Sequence, residues 1–234
     1  MIQIQPLTNA GNLAHCQNCG IRHLVLFANL VEEDFQALHT PIDEVQVGQG
    51  EQLFRDGDNG QAIYTLRQGM IKLVKRNPDG RDRILRLLRI GDVVGLESMV
   101  TQHYGSDAVA LQPSTLCRIP LSVIQELALQ NPKLHVTLME RWYQALKEAD
   151  DWLAELNFGS ARKRVARLIL RLRDRLDPTR VTLLSREDMG SISDLTFETV
   201  SREVNRFVRE GALAPSDKMG RHYSIKNEAL LQEI

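Results

Sequence analysis

Glu198, Ser201 and Arg202 stand at i, i+3 and i+4 near the start of the stretch Thr196-Phe-Glu-Thr-Val-Ser-Arg202. On a helix that spacing puts all three side chains on one face. Their chemistry suits the edges of nucleic-acid bases: arginine grips guanine bidentately, glutamate accepts from the cytosine amino group, and serine donates or accepts. Arg206 and Arg209 lie further along and suit phosphates. Thr196 and Thr199 offer hydroxyls, and a helix N-terminus itself favours an anion. A second candidate chemistry is carried by thiols. Cys16-Gln-Asn-Cys19, flanked by His15 and His23, and the distant Cys117 are the chain's three cysteines. Such a pair serves as metal ligands or as a redox couple.

A glutamate–arginine pair at this spacing is commonly a surface ion pair, so the surrounding elements decide its meaning. Ser185-Arg-Glu-Asp188 has the form of a capping box, which predicts a short helix running to about Ile192. A turn at Ser193-Asp-Leu195 follows, and Thr196 caps a second helix over 197–210, ended by Gly211 as a C′ glycine. Val200, Val204, Phe207 and Val208 give that helix its buried face. Leu213-Ala-Pro and His222-Tyr-Ser-Ile225, joined through Lys218-Met-Gly-Arg221, read as a small β-hairpin. Two short helices with a tight turn and a trailing hairpin describe a winged helix-turn-helix.

The rest of the chain must carry this unit. Residues 41–120 alternate short apolar runs (Ala62-Ile-Tyr-Thr-Leu66, Met70-Ile-Lys-Leu-Val74, Ile84-Leu-Arg-Leu-Leu88, Ala108-Val-Ala-Leu111) with Gly-rich turns. That rhythm predicts an antiparallel barrel or jelly roll. A short helix lies between Pro120 and Pro132, and a long one over 131–156. In the long helix Leu138, Trp142, Ala145, Ala149, Trp152 and Leu156 are spaced 4, 3, 4, 3 and 4, which predicts a seam for pairing with a second copy. Asn157-Phe-Gly-Ser160 reads as a hinge, and a further helix spans 161–176. The expected division is 1–120, cysteine-bearing segment and β-roll; 121–158, short helix and dimerisation helix; 159–234, winged helix.

The 234 residues are 43% hydrophobic and 5% aromatic, which supports a real core and excludes disordered and collagenous classes. No run approaches the roughly 20 apolar residues of a membrane span, and the start lacks a signal-peptide pattern. Three cysteines suit a reducing compartment, so a cytoplasmic protein is expected. Residues 1–158 hold 14 Lys+Arg against 19 Asp+Glu (−5), and residues 159–234 hold 15 against 11 (+4). A basic final third on an acidic body points to a polyanionic partner.

The arrangement Asp188-Met-Gly through Leu195-Thr196-x-Glu198-Thr199-x-Ser201-Arg202 resembles the signature of the CRP/FNR superfamily, and the order of elements matches over nearly the whole chain. The resemblance implies an α+β fold: an N-terminal antiparallel β-roll of the cyclic-nucleotide-binding type, a long dimerisation helix and a C-terminal winged helix-turn-helix. It implies a homodimeric transcription regulator, with double-stranded DNA, a second copy and RNA polymerase as partners, the last through the 81–89 region. Glu-x-x-Ser-Arg is similar to the FNR branch, which reads TTGAT-type half-sites through Glu198, Ser201 and Arg202. Ser193-Asp194 replaces that family's Leu-Gly at the turn, and Asp tolerates the left-handed conformation needed there. Where cyclic-AMP binders carry Gly-Glu-Leu and Arg-Ser-Ala, this chain has Gly95-Leu-Glu-Ser98 and Tyr104-Gly-Ser-Asp-Ala108. Asp107 would repel a phosphate, so no cyclic AMP is expected.

By the same resemblance Cys16, Cys19 and Cys117 match three of four iron–sulfur ligands, and the fourth position falls at Val25. A [4Fe–4S] cluster takes four thiolates, so the fourth ligand would come from His15, His23, a carboxylate or an exogenous group. An iron–sulfur site, a thiol switch or relic, and zinc or haem all stay open. So do a redox or oxygen-type signal and a degenerate sensor that is constitutively dimeric or takes another small molecule. Ala149 on the seam, with Asp150 and Asp151 beside it and Trp142 and Trp152 adding apolar area, favours a dimer stable without a cofactor. A cupin-like metal enzyme on the β-roll needs converging histidines. His103 alone lies in the later roll, the others being His15, His23, His39, His135 and His222, with no His-x-His or Glu-x-x-His spacing. Catalysis is not expected.

Overall fold

A computed structural model of the chain describes residues 42–77, 80, 82–130, 133–156, 158–174, 177–217 and 221–232, with the backbone of 3–5. Cys16, Cys19, His15, His23 and the Lys218-Met-Gly220 tip of the hairpin lie outside the described residues. The chain divides into two compact units, one formed by 1–81 and 85–147, the other by 82–84 and 148–234.

The first unit is built on two antiparallel sheets. One has the order β1 (Gln3–Gln5), β2 (Asp43–Val47), β9 (Ser114–Pro120), β4 (Ala62–Gln68) and β7 (Val93–Val94). The other has β3 (Gln52–Phe54), β8 (Asp107–Ala110), β5 (Ile71–Arg76) and β6 (Asp82–Leu88). Val45, Phe54, Tyr64, Leu66, Ile71, Leu73, Ala108 and Leu116 come from both sheets and fill the space between them. The opposite faces of β4 and β9 bear Ile63 and Ile119, which pack with α2 (Leu121–Gln130) and the start of α3 (Lys133–Leu156) through Val123, Ile124, Leu127, Leu134 and Leu138. Central strand β4 is therefore buried on both faces, which explains why its sequence is a continuous apolar run rather than an alternation. A four-residue helix, α1 (Ser98–Thr101), follows the Gly95 loop.

In the second unit α4 (Ala161–Arg171) is capped by Ser160, whose side chain accepts from the Lys163 N–H. This helix is shorter than its apolar pattern predicts, which runs on to 176. Arg173 bridges to Val181, and the Asp174 N–H donates to the Arg180 carbonyl, so sheet pairing claims the chain before the helix can continue. That sheet has the order β10 (Arg180–Thr182), β12 (His222–Ile225) and β11 (Leu213–Pro215). The first of these strands is short and polar, and the sequence pattern does not show it. Between them come α5 (Arg186–Ser193) and α6 (Phe197–Arg209).

The seam predicted for the long helix needs correction. Leu138 is 5% exposed and Leu156 not at all, so both face the interior of their own chain and neither can meet a second copy. Leu138 belongs to the apolar layer on the outer face of the five-stranded sheet. Ala145, Ala149 and Trp152 are half-buried. The solvent-facing apolar band instead carries Val136, Met139, Trp142, Tyr143, Leu146 and Leu153. At roughly 100° per residue its centre is turned about 100° from the line through Leu138 and Leu156, with Trp142 at the shared edge. The heptad count alone could not tell a stripe used inside the chain from one left outside it.

Gly190 sets the reversal between α5 and α6. A Cβ there would lie 2.6 Å from the Leu195 carbonyl oxygen, closer than real contacts allow. Gly190→Ala is expected to lower unfolding stability by about 1–3 kcal/mol, the usual cost of forcing an extra group into a packed site. Urea denaturation followed by circular dichroism measures it, and an unchanged midpoint would remove the glycine from this role.

Candidate nucleic-acid interface

The helix pair is assembled by caps at both junctions. Ser185 caps α5, its hydroxyl oxygen accepting from the Asp188 N–H at 3.0 Å. Asp194 ends that helix in the left-handed conformation, at φ 53°, and the Leu195 N–H donates to the Gly190 carbonyl. Arg164 on α4 donates to the Ser193 and Asp194 carbonyls, placing a cation on the negative end of α5. Thr196 then caps α6, accepting from the Thr199 N–H.

Helix α6 divides cleanly into two faces. Val200, Val204 and Phe207 are fully buried, and Arg162 lays its guanidinium over the Phe207 ring at 4.5 Å. Glu198 and Arg202 project into solvent, with Ser201 half-exposed between them. The three predicted residues thus share one outward face. The Glu198 carboxyl is held below the usual glutamate range, first by the backbone N–H of its own residue and then by the Thr196 hydroxyl. It is therefore an anion, able to accept from a cytosine amino group. Arg202 leans on Glu203, whose carboxylate lies 3.5 Å from its Nε. Glu203 is a buried carboxylate that the sequence pattern did not single out, because its neighbours in the chain are the reading residues themselves.

The remaining candidates differ in availability. Arg206 donates to Glu210 at 2.8 Å, and Arg162 pairs with the same carboxylate, which together depress the Glu210 carboxyl. One edge of the Arg206 guanidinium is engaged and the side chain stays exposed. The Thr196 hydroxyl oxygen is committed to the cap and lies 3.2 Å from Thr199 Oγ1. The hairpin is braced by Asp217, which accepts from the Arg221 and His222 N–H groups, and by a 3.0 Å contact between Thr182 Oγ1 and His222 Nδ1. Arg186 donates to the Tyr223 hydroxyl, joining the start of α5 to β12.

In the roll, the loop that would cradle a cyclic phosphate is filled by the chain itself. Tyr104 stacks on Phe54 at 3.8 Å, donates its hydroxyl to the Ala62 carbonyl, and passes within contact of Gly95. The Asp107 carboxylate accepts from the Asp56 N–H, and Lys75 is engaged by Asp56 and the Gly105 carbonyl. A carboxylate and a packed tyrosine thus stand beside the Gly95 loop. Cys117 is half-buried on β9, opposite Thr65 of β4, against the apolar layer that includes Ile63 and Ile119. Among the described residues no three His, Cys, Asp or Glu side chains converge to hold a metal ion.

The cyclic nucleotide-binding domain family matches residues 44–131, and the Crp-like helix-turn-helix domain family matches residues 163–234. The Fumarate nitrate reduction regulatory protein of Klebsiella oxytoca is 30% identical over 99% of this chain and 94% of its own length. This chain belongs to the CRP/FNR superfamily of transcription regulators. The Fumarate and nitrate reduction regulatory protein of Escherichia coli K12 is 29% identical over the same shares. FixK2 from Bradyrhizobium japonicum superposes with a TM-score of 0.74 at 25% identity, covering 83% of this chain and 97% of that one. The α+β fold with an antiparallel roll and a DNA-binding helix-turn-helix is the one the sequence predicted.

Because the Glu198 carboxyl is depressed, its ionised form is the one the folded helix favours, and that contribution is lost only as pH falls through the lowered value. If Glu198 contacts a base, preference at that pair is expected to hold as pH falls from about 8 through the ordinary glutamate value, measured as the affinity ratio for cognate and singly substituted duplexes. A fall centred at or above that ordinary value would show that the cap does not hold the carboxylate.

Proposed function

We propose that the protein acts as a homodimer reading TTGAT-like palindromic half-sites through Glu198, Ser201 and Arg202, in response to a redox or oxygen-type signal. The single observation that carries the DNA reading is the outward face of α6, on which the three side chains stand together while the opposite face is buried. Arg206, Arg209 and the Thr199 hydroxyl serve phosphates on either side of the groove. Each subunit of the pair places one α6 in successive major grooves about one helical turn apart. Contact with RNA polymerase is part of the reading, and β6 offers the exposed Leu85 for it.

Dimerisation is supported by the exposed band on α3, since six large apolar side chains along one helix are costly to leave in water. Ala149 lies at its edge and the exposed Asp150 within it, and the six apolar side chains are proposed to outweigh that carboxylate and to pair without a cofactor. At micromolar concentration the protein is expected to sediment as a dimer without any cofactor, and Leu146→Glu as a folded monomer whose melting temperature, unlike the parent's, does not rise with protein concentration. A monomeric parent protein would defeat this arrangement.

The redox reading rests on the relatives, whose names concern fumarate and nitrate reduction, and on the thiols. The chain holds three cysteines, one fewer than a four-thiolate cluster requires. An all-cysteine [4Fe–4S] group therefore does not fit, and no step is assigned to one. Cys16, Cys19 and Cys117 are proposed as the redox-responsive thiols, with the signal passing along α3 to the bend at Phe158 and Gly159. The roll is proposed to act without cyclic AMP, its loop being closed by Tyr104 and Asp107. The regulator family favours a non-enzymatic role over a cupin-like one. The helices contain no span long and apolar enough to cross a membrane among the described residues, consistent with the proposed cytoplasmic location.

Replacing the reading arginine separates specific from general binding. Arg202→Ala is expected to cost about 1–3 kcal/mol on the cognate duplex and to relax preference at one position. Arg206→Ala is expected to weaken cognate and scrambled duplexes alike and to lower the slope of log affinity against log salt by about one per subunit, about two for the dimer. Gel-shift titrations at several salt concentrations measure both, and equal losses on the two duplexes for Arg202→Ala would remove its assigned role.

A further inference from the structure

The exposed side chains of α3 keep a repeat of their own. Val136, Met139, Tyr143, Leu146, Asp150 and Leu153 are spaced 3, 4, 3, 4 and 3, and all six are exposed. That alternation is the one that a and d positions follow in a coiled coil. It puts Met139 at a d position, with Val136 and Tyr143 as the flanking a residues. Met139 is 68% exposed in the single chain. Its thioether is the one group in this seam that gaining a single oxygen turns, reversibly, from apolar to polar. The other described methionines are placed differently. Met189 is fully buried, Met70 is half-buried, and Met99 belongs to α1.

We propose that Met139 is an oxidation site whose sulfoxide unmakes the pair formed through the α3 band. This rests on the dimer reading of that band given above, and adds to it a residue on which an oxidant acts without thiol or metal. The co-reactant is a two-electron, oxygen-donating oxidant of the hypohalous acid class. With hypochlorous acid an S–O bond forms and the O–Cl bond breaks. Sulfur loses two electrons, chlorine leaves as chloride, and the acid's proton is released to water. In a parallel pair the d side chain of one helix packs beside the equivalent d of its partner, so the two Met139 sulfurs face each other. Two sulfoxide oxygens in that place are both acceptors and cannot satisfy one another, and burying them carries the cost of an unpaired polar group. Pairing covers the thioether, so the reaction takes place on the free subunit and holds it there.

The test treats the full-length protein with hypochlorous acid, quenches it, and restores the thiols with dithiothreitol, which leaves sulfoxides in place. Peptide mass spectrometry is expected to find one added oxygen on Met139. Sedimentation is expected to show the dimer dissociation constant raised roughly tenfold or more, the effect of a polar group left unpaired in the seam. Methionine sulfoxide reductases of both stereospecificities, added together, are expected to restore the parent constant. Met139→Leu is expected to stay dimeric through the same treatment, and Met139→Gln to be weakened without it, both with the parent's circular dichroism. Oxidation of Met139 is also expected to slow as protein concentration rises through the range in which the dimer forms, while that of Met99 does not. The proposal is overturned if Met139 resists the oxidant while Met99 reacts, if the fully oxidised protein pairs as the parent does, or if Met139→Leu dissociates as the treated parent does. A parent protein that is monomeric before any treatment fails earlier, at the dimer reading itself, and takes this site with it.

Discussion

The reading face depends on one close approach of backbone to backbone. Between Gly190 and Leu195 the chain reverses so tightly that no Cβ fits at the glycine, and Asp194 takes a left-handed conformation to complete the turn. Everything downstream takes its direction from that reversal. Thr196 can cap α6 because the turn delivers it in an extended conformation, and the cap in turn aims the first helical turn outward. Arg164 stabilises the same turn from another helix by donating to its carbonyls. The direction of the outward face of α6 thus comes from groups that are not on it.

The helix period then sorts residues without further help. On α6 it separates Val200, Val204 and Phe207 from Glu198 and Arg202 by about half a turn, so burying one set exposes the other. Glu203 is the exception, a carboxylate on the inner side whose oxygen lies 3.5 Å from the Nε of the solvent-exposed Arg202. A salt bridge between adjacent residues contributes little to stability when one partner is exposed. Its consequence is geometric, because it narrows the arc through which the arginine can swing.

How much of this was legible in the chain follows from which constraints are local. Caps, glycine stops and the i, i+3, i+4 face of α6 are set by neighbours within one or two turns, and the residues at Ser185, Thr196 and Gly211 announce them. The two-sheet roll was visible through its turns, although β2 (Asp-Glu-Val-Gln-Val) and β10 (Arg-Val-Thr) are polar and hold their places by pairing with β9 and β12. Pairing partners so distant in sequence leave no local mark. The seam on α3 failed for the opposite reason. Its heptad was real, but Leu138 is claimed by Val123, Leu127 and Leu134 of the same chain, and spacing alone does not say which of two apolar faces is already occupied. Glu203 escaped notice because it departs from the burial its residue type suggests.

The end of α3 is tied to the first helix of the DNA-binding side. Arg167 donates to the carbonyls of Glu155 and Phe158, and Arg171 pairs with the Glu155 carboxylate while its guanidinium lies over the Trp152 ring. The last turns of the long helix group with the second unit, beginning at Glu148. Glycine at 159, at φ 97°, permits the sharp bend into α4. A bend bridged on both sides by arginines is not a free swivel. Rotation of the helix end carries Glu155 with it, and through Arg167 and Arg171 it must also turn α4, the helix whose Arg162 and Arg164 hold α6 and the reversal before it.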